Sequence, residues 1–229
     1  MGAILITSAV WLFSSGSKGA PETPAKPLVD LAALRVQAES GDPQAQARLG
    51  GLYAGGEQVT NNYAEAAKWY RKAAEQGHAE SQFALGELYE AGQGVAKSTD
   101  QAIALYRQAA EKGVAKAQYT LGFLYESGRG VSQNQIEATK WFQRAAENGD
   151  PLAQYDLGQR YELGVGVAAD KIEALKWFSL AAMQGQADAT IRRDKLRKTL
   201  SREQVAEAQL RTSALATNLS ARTRAGLKP

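Results

Sequence analysis

The chain of 229 residues contains no cysteine. A disulfide framework, a thiol nucleophile and a thiolate metal site are therefore all excluded. Histidine is nearly absent as well. The single His78 cannot build a histidine-cluster metal site alone. Long apolar runs are scarce: residues 3–13 (AILITSAVWLF) make a stretch of eleven, short of the roughly 20 that a membrane helix needs. That length suits the core of a signal peptide, and small residues follow at 14–17. No Lys or Arg precedes the run, where signal peptides carry positive charge. Residues 1–17 are expected to be a signal peptide or short N-terminal anchor. The protein is then exported, periplasmic or anchored to the inner membrane of a bacterium, with a cytoplasmic location as the alternative. Residues 18–29, with Pro21, Pro24 and Pro27, form a proline-rich linker.

What is present is unevenly charged. From Thr190 onward ten Lys and Arg face three Asp and Glu, a net +7 that leaves −4 for the rest of the chain. A mildly acidic body with a basic tail invites a polyanion or membrane-surface reading. A solvated C-terminal extension explains the same composition.

The dominant feature is a period of 36. Leu-Gly occurs at Leu49-Gly50, Leu85-Gly86, Leu121-Gly122 and Leu157-Gly158, with Tyr53, Tyr89, Tyr125 and Tyr161 three residues past each glycine. Ten of the 36 columns are identical in all four copies, among them Gln46, Gly56, Val59, Ala66, Ala73, Ala74 and Gly77 with their counterparts. Each copy reads as two helices. Helix A covers about residues 43–54 of the first copy, with Asp42-Pro43 and Asp150-Pro151 as N-cap and first helical position. The column of Gly56 ends it, because glycine takes the left-handed conformation without steric cost. Helix B opens at Asn62, Ser98, Asn134 and Asp170, each followed three residues later by Glu or Gln, a capping-box spacing. Inside helix B, Ala66, Trp69, Tyr70, Ala73 and Ala74 keep helical periodicity. Trp69, Trp141 and Trp177 are expected to fill the space between small alanines, so that Trp141→Ala costs roughly 3–5 kcal/mol. Leu105 stands where the second copy lacks this tryptophan, and packing there is expected to be looser. Residues 30–42 match the end of a helix B and form an N-terminal cap. Residues 187–229 form a C-terminal capping helix and a basic helical tail, with Ser201 and Gln204 as a further capping box.

A helix pair cannot cover its apolar face alone, whereas stacked pairs share one core. The expected fold is all-α, an α-solenoid of four helix-turn-helix repeats (43–78, 79–114, 115–150, 151–186) with capping helices at both ends. Ala117-Gln118 through Val131, followed by Ala138 through Gly149, closely resembles the Sel1-like repeat, a relative of the tetratricopeptide repeat. The resemblance covers residues 38–186. It implies a right-handed superhelix and roles as a scaffold or adaptor in protein complexes. One column departs: Gln58 stands where the later copies have Gly94, Gly130 and Gly166. A cysteine-rich branch of the family is linked to penicillin binding. Its disulfide-forming cysteines are missing here, so that activity is not carried over.

Three motifs suggest chemistry that their context does not support. Ser15-Gly16-Ser17-Lys18 matches Ser-x-x-Lys but lies in a Ser/Gly linker. Gly92-x-Gly94 and Gly128-x-Gly130 have no strand before them and no third glycine, and read as turns. His78 lies at a junction between repeats with no partner histidine. A non-catalytic protein with no cofactor or metal is expected, and nucleic acid is not an expected ligand.

The resemblance implies that the A helices line the concave surface of the solenoid. One column there holds Phe83, Tyr119 and Tyr155, a second Glu87, Phe123 and Gln159, and a third Glu90, Glu126 and Glu162. Together they would make a groove of aromatic anchors with an acidic rim, suited to a protein or peptide partner of basic and apolar character. An aromatic at that column is usual in the family and fits packing against the neighbouring repeat better than binding, while the glutamates fit a solvated face as well as a functional one. The alternative partner is an anionic lipid or polyanion on the basic tail (Arg192, Arg193, Lys195, Arg197, Lys198), giving weak membrane-surface contact. A cell-wall hydrolase is a third reading that no residue supports.

Overall fold

The computed structural model describes residues 29–56 and 58–224. The expected signal peptide or anchor and most of the linker, with the Ser-x-x-Lys match, lie outside the described residues. The chain divides into two units, Met1–Asp30 and Leu31–Pro229, and the second carries every described helix. There are eleven: α1 (Leu31–Glu39), α2 (Pro43–Gly55), α3 (Tyr63–Glu75), α4 (Ala79–Ala91), α5 (Thr99–Glu111), α6 (Ala115–Ser127), α7 (Gln135–Glu147), α8 (Pro151–Leu163), α9 (Lys171–Met183), α10 (Ala187–Arg197) and α11 (Arg202–Arg224). No strand occurs among the described residues. The even-numbered helices from α2 to α8 are the A helices and the odd-numbered ones from α3 to α9 the B helices. Each helix packs on its neighbour in the chain up to α10, and α11 packs back on α9.

Helix boundaries follow from local chemistry. Asn62 Oδ1 accepts the N–H groups of Ala64 and Glu65, and Asn134 and Asp170 cap α7 and α9 in the same way. Glu65, Glu137 and Glu173 turn instead to Lys68, Lys140 and Lys176, one turn on. At α11 the capping box is complete in both directions: Ser201 N–H donates to Gln204 Oε1 and Gln204 N–H donates to Ser201 Oγ. His78 caps α4, its Nδ1 accepting the Ser81 N–H at 3.2 Å, which accounts for it as a structural residue.

The Leu-Gly pair locks each A helix to its B helix. Leu49, Leu121 and Leu157 are fully buried. The glycine beside each lies flat under the aromatic ring that follows the tryptophan column. A methyl group added at Gly50, Gly86, Gly122 or Gly158 would come within 2.7–2.8 Å of Tyr70, Tyr106, Phe142 or Phe178. Tyr106, Phe142 and Phe178 are 0–1% exposed. In the second to fourth repeats the ring one residue after the tryptophan column is therefore the deepest, whereas in the first repeat Trp69 is buried and Tyr70 only half-buried. Trp69 and Trp177 are buried, but Trp141 is half-buried with the Arg144 guanidinium stacked on it at 4.7 Å.

The invariant glutamine holds successive repeats together. Nε2 of Gln46, Gln82, Gln118 and Gln154 donates to the carbonyls of Ala38, Ala74, Ala110 and Ala146 at the end of the preceding helix. Each of these carbonyls also accepts the backbone N–H of the glycine three residues on (Gly41, Gly77, Gly113, Gly149), so the glutamine adds a tie between repeats to a carbonyl that already ends its helix. Arg35, Arg71 and Arg107 add a second tie, each donating to the tyrosine hydroxyl of the next A helix (Tyr53, Tyr89, Tyr125) at 3.1–3.2 Å. Gly94 sits against the start of α3, where a β-carbon would lie 2.2 Å from Tyr63 backbone, and its φ is +68°. Gln58 takes φ +61° in the same column of the first repeat.

Candidate functional site on the A-helix face

The columns picked from sequence lie on α4, α6 and α8. Phe83, Tyr119 and Tyr155 are half-buried, and each tilts onto the ring beneath it in its own repeat. Phe83 meets Tyr106 at 5.4 Å, Tyr119 meets Phe142 at 5.4 Å and Tyr155 meets Phe178 at 5.8 Å. These rings serve the packing and leave one side open to the face. Phe123 is different: it is 48% exposed. Glu87 is exposed and Gln159 half-buried in the same column.

The third column is a series of ion pairs between repeats. Glu90 pairs with Arg129 and accepts the Tyr106 hydroxyl at 2.6 Å, Glu126 pairs with Arg160, and Glu162 lies 3.5 Å from Arg192. In every case the arginine belongs to the following A helix or the turn after it. This column therefore fastens neighbouring A helices to one another.

Sequence reasoning missed Arg160, the most deeply placed of these charges. It is 4% exposed, in a column that reads Leu52, Leu88, Leu124 and Leu196 in the other units. Its Nη1 donates to Gln135 Oε1 and Thr139 Oγ1 at 3.2 and 3.0 Å, and the guanidinium rests on the Phe142 ring at 4.7 Å. Thr139 also breaks an apolar column, of Ala67, Ile103 and Leu175. The paired departures from their columns were visible in the repeat alignment.

Missed too were Asp150, Asp156 and Lys116. Tyr119 donates its hydroxyl to Asp156 Oδ2 at 3.0 Å, joining α6 to α8. Loss of solvation pushes the Asp156 carboxyl above its ordinary value; the Tyr119 hydrogen bond and Arg160 oppose this, while Glu126 and Asp150 add to it. Burial likewise raises Asp150, the N-cap of α8, against its backbone hydrogen bonds and Lys116. Glu87 reaches water, yet its carboxyl is raised by lost solvation, with Lys116 again pulling it back. Lys116 lies near Glu87 and Asp150, and Arg160 near Asp156, but in each case lost solvation outweighs the cation. Among the described residues no group of His, Asp and Glu could hold a metal ion, and no helix is long and apolar enough to cross a membrane.

The four units match the Sel1 repeat family model at residues 43–78, 79–114, 115–150 and 151–186. The chain belongs to the Sel1 repeat family. A Sel1 repeat protein from Oxalobacter formigenes is 40% identical over 71% of this chain and 67% of its own, with a TM-score of 0.65. A protective antigen of uropathogenic Escherichia coli with an SLR fold is 29% identical over 84% of this chain, at a TM-score of 0.54. This chain spans half the length of that antigen. A search of curated proteins gave no match. The Sel1 solenoid is a protein-interaction fold and generally non-catalytic.

Of the basic tail, Arg192 is committed to Glu162, Arg193 lies 2.8 Å from Asp194, and Arg211 bridges Glu173 and Glu207 at 2.6 Å each.

Proposed function

We propose that the protein is a non-catalytic scaffold whose A-helix face, over α4, α6 and α8, binds a protein or peptide segment carrying Lys or Arg beside apolar residues. The observation that carries this reading is the exposed Phe123, in line with Glu87 and Gln159 on a face that also holds the partly buried carboxylates of Asp150 and Asp156. Phe123 and the open sides of Tyr119 and Tyr155 supply apolar anchors. Glu87 and Asp156 supply the charge that a basic segment satisfies. Glu90, Glu126 and Glu162 contribute less directly, since each already has an arginine.

A scaffold of this kind works wherever its partner is. The apolar run at residues 3–13 supports export, with the protein periplasmic or held at the inner membrane of a bacterium. Fractionation of the native host tests this. Recovery in the soluble cytoplasmic fraction contradicts it.

The binding reading is tested by affinity capture from the native host, with the full chain and a Glu87→Lys/Phe123→Ala variant of unchanged helicity. These positions are preferred to Glu90, Glu126 and Glu162, whose replacement breaks contacts between repeats. A partner present with the parent and absent with the variant supports the A-helix face. A partner retained by both contradicts it.

A further inference from the structure

The opposite side of the solenoid carries a second site, and the chain itself shows what it holds. A groove of about 560 Å³ lies between α3 and α5 over the end of α4, lined by Arg71, Tyr89, Gln101, Leu105, Gln108 and Lys112 among others. It exists because Leu105 and Ala104 stand where the fourth repeat has Trp177 and Lys176. Trp69 lies under Lys72 at 4.3 Å and Trp141 under Arg144, so these two fill their own grooves. Trp177 lies under Lys176 at 4.1 Å and is further covered by α11.

The path of α11 follows the same groove two repeats further on. Leu215 and Ala216 pack in the cluster of Ala146, Leu157 and Trp177, the equivalents of Ala74, Leu85 and Leu105. Leu219 Cδ2 lies 3.9 Å from where a β-carbon of Gly149 would be, the counterpart of Gly77. Arg211 donates to Glu173, the counterpart of Gln101. A helix with apolar residues at i and i+4 and a charge one turn before them is what this kind of groove receives.

We infer that the groove between α3 and α5 docks an amphipathic helix of a partner protein, one bearing a large aromatic residue and a carboxylate. The aromatic takes the volume that Leu105 leaves. The charge sign is set by the rim: Arg71 and Lys112 stand against Glu75, where the groove under α11 has Gln143, Gln184 and Glu147, with Glu173 added. The partner therefore presents Glu or Asp where α11 presents Arg211. The floor of the groove differs from its sisters as well. Gln82 is 4% exposed and its Oε1 has no hydrogen-bond partner, whereas the same atom of Gln46, Gln118 and Gln154 accepts from Gln76, Asn148 and Gln184. The donor position is Lys112 in this repeat, and its Nζ goes to Gly77 O at 2.6 Å instead. Tryptophan is the fitting aromatic, because Trp69, Trp141 and Trp177 occupy this column in the other three repeats.

The test uses the full chain and two helix-stapled peptides of the α11 sequence, residues 202–224. One is unchanged and the other carries Arg211→Glu with Leu215→Trp. Fluorescence anisotropy should show the altered peptide binding at least tenfold more tightly than the unchanged one. Leu105→Trp, which gives the second repeat the residue of its sisters, should abolish that binding with helicity and Tm retained. Arg71→Glu should weaken it at least tenfold. Equal binding of the two peptides, binding that survives Leu105→Trp, or no binding overturns the inference. A dimer of the chain that Leu105→Trp dissociates also overturns it, because the occupant is then a second copy.

Discussion

Asp156 and Arg160 show how single residues set this protein apart from a generic repeat array. The Asp156 carboxyl is raised by lost solvation. Its ionised form therefore costs stability above the folded value, and the cost fades as the pH falls and the group protonates. Asp156→Asn keeps an acceptor for Tyr119 and should raise Tm near pH 7. The gain should shrink on acidification and vanish below the ordinary aspartate value of about 3.9. A gain that grows toward low pH contradicts this account. Arg160 is buried with a charged partner, so its loss leaves Glu126 without its cation and Thr139 without a donor. Arg160→Ala should cost about 3 kcal/mol in urea unfolding. The double change Arg160→Leu/Thr139→Ile restores the pairing of the preceding interface and should recover most of that loss. Failure of the double variant to recover would show that the ion pair is needed for the stack itself.

Among the elements, the A–B helix pair is held by one ring on one glycine. The tryptophans looked like the fillers because they are the largest residues in the pattern. Burial decides otherwise: Phe142 is 1% exposed and Trp141 only half-buried. Phe142→Ala should cost roughly 3–5 kcal/mol and Trp141→Ala distinctly less. Equal losses would contradict the observed packing. The helices, their caps and the loose second repeat were all legible in the sequence, because capping spacing and the Leu105 substitution act locally. The role of Gln46 and its counterparts was not. Identity in four copies marks the column, but a donor aimed at a carbonyl of the previous repeat depends on how repeats stack. The same holds for Glu90, Glu126 and Glu162, whose arginine partners lie 30 to 39 residues away in sequence. Arg160 was within reach, since it breaks a leucine column, and only its depth required the structure.

At the scale of the whole molecule, a solenoid distributes its stability over interfaces between neighbours and leaves two long faces for partners. Here one face carries the exposed Phe123 beside partly desolvated carboxylates, and the other a groove that a missing tryptophan opens. The α11 helix closes the C-terminal part of the second face and so directs attention to α3 and α5. The central claim is that the A-helix face is the binding surface of the scaffold. It is tested most directly by hydrogen-exchange mass spectrometry of the full chain, with and without the captured partner. The account predicts new protection on α4, α6 and α8 that Glu87→Lys/Phe123→Ala removes. Protection confined to α3, α5 and α7, or unchanged in the variant, would contradict it.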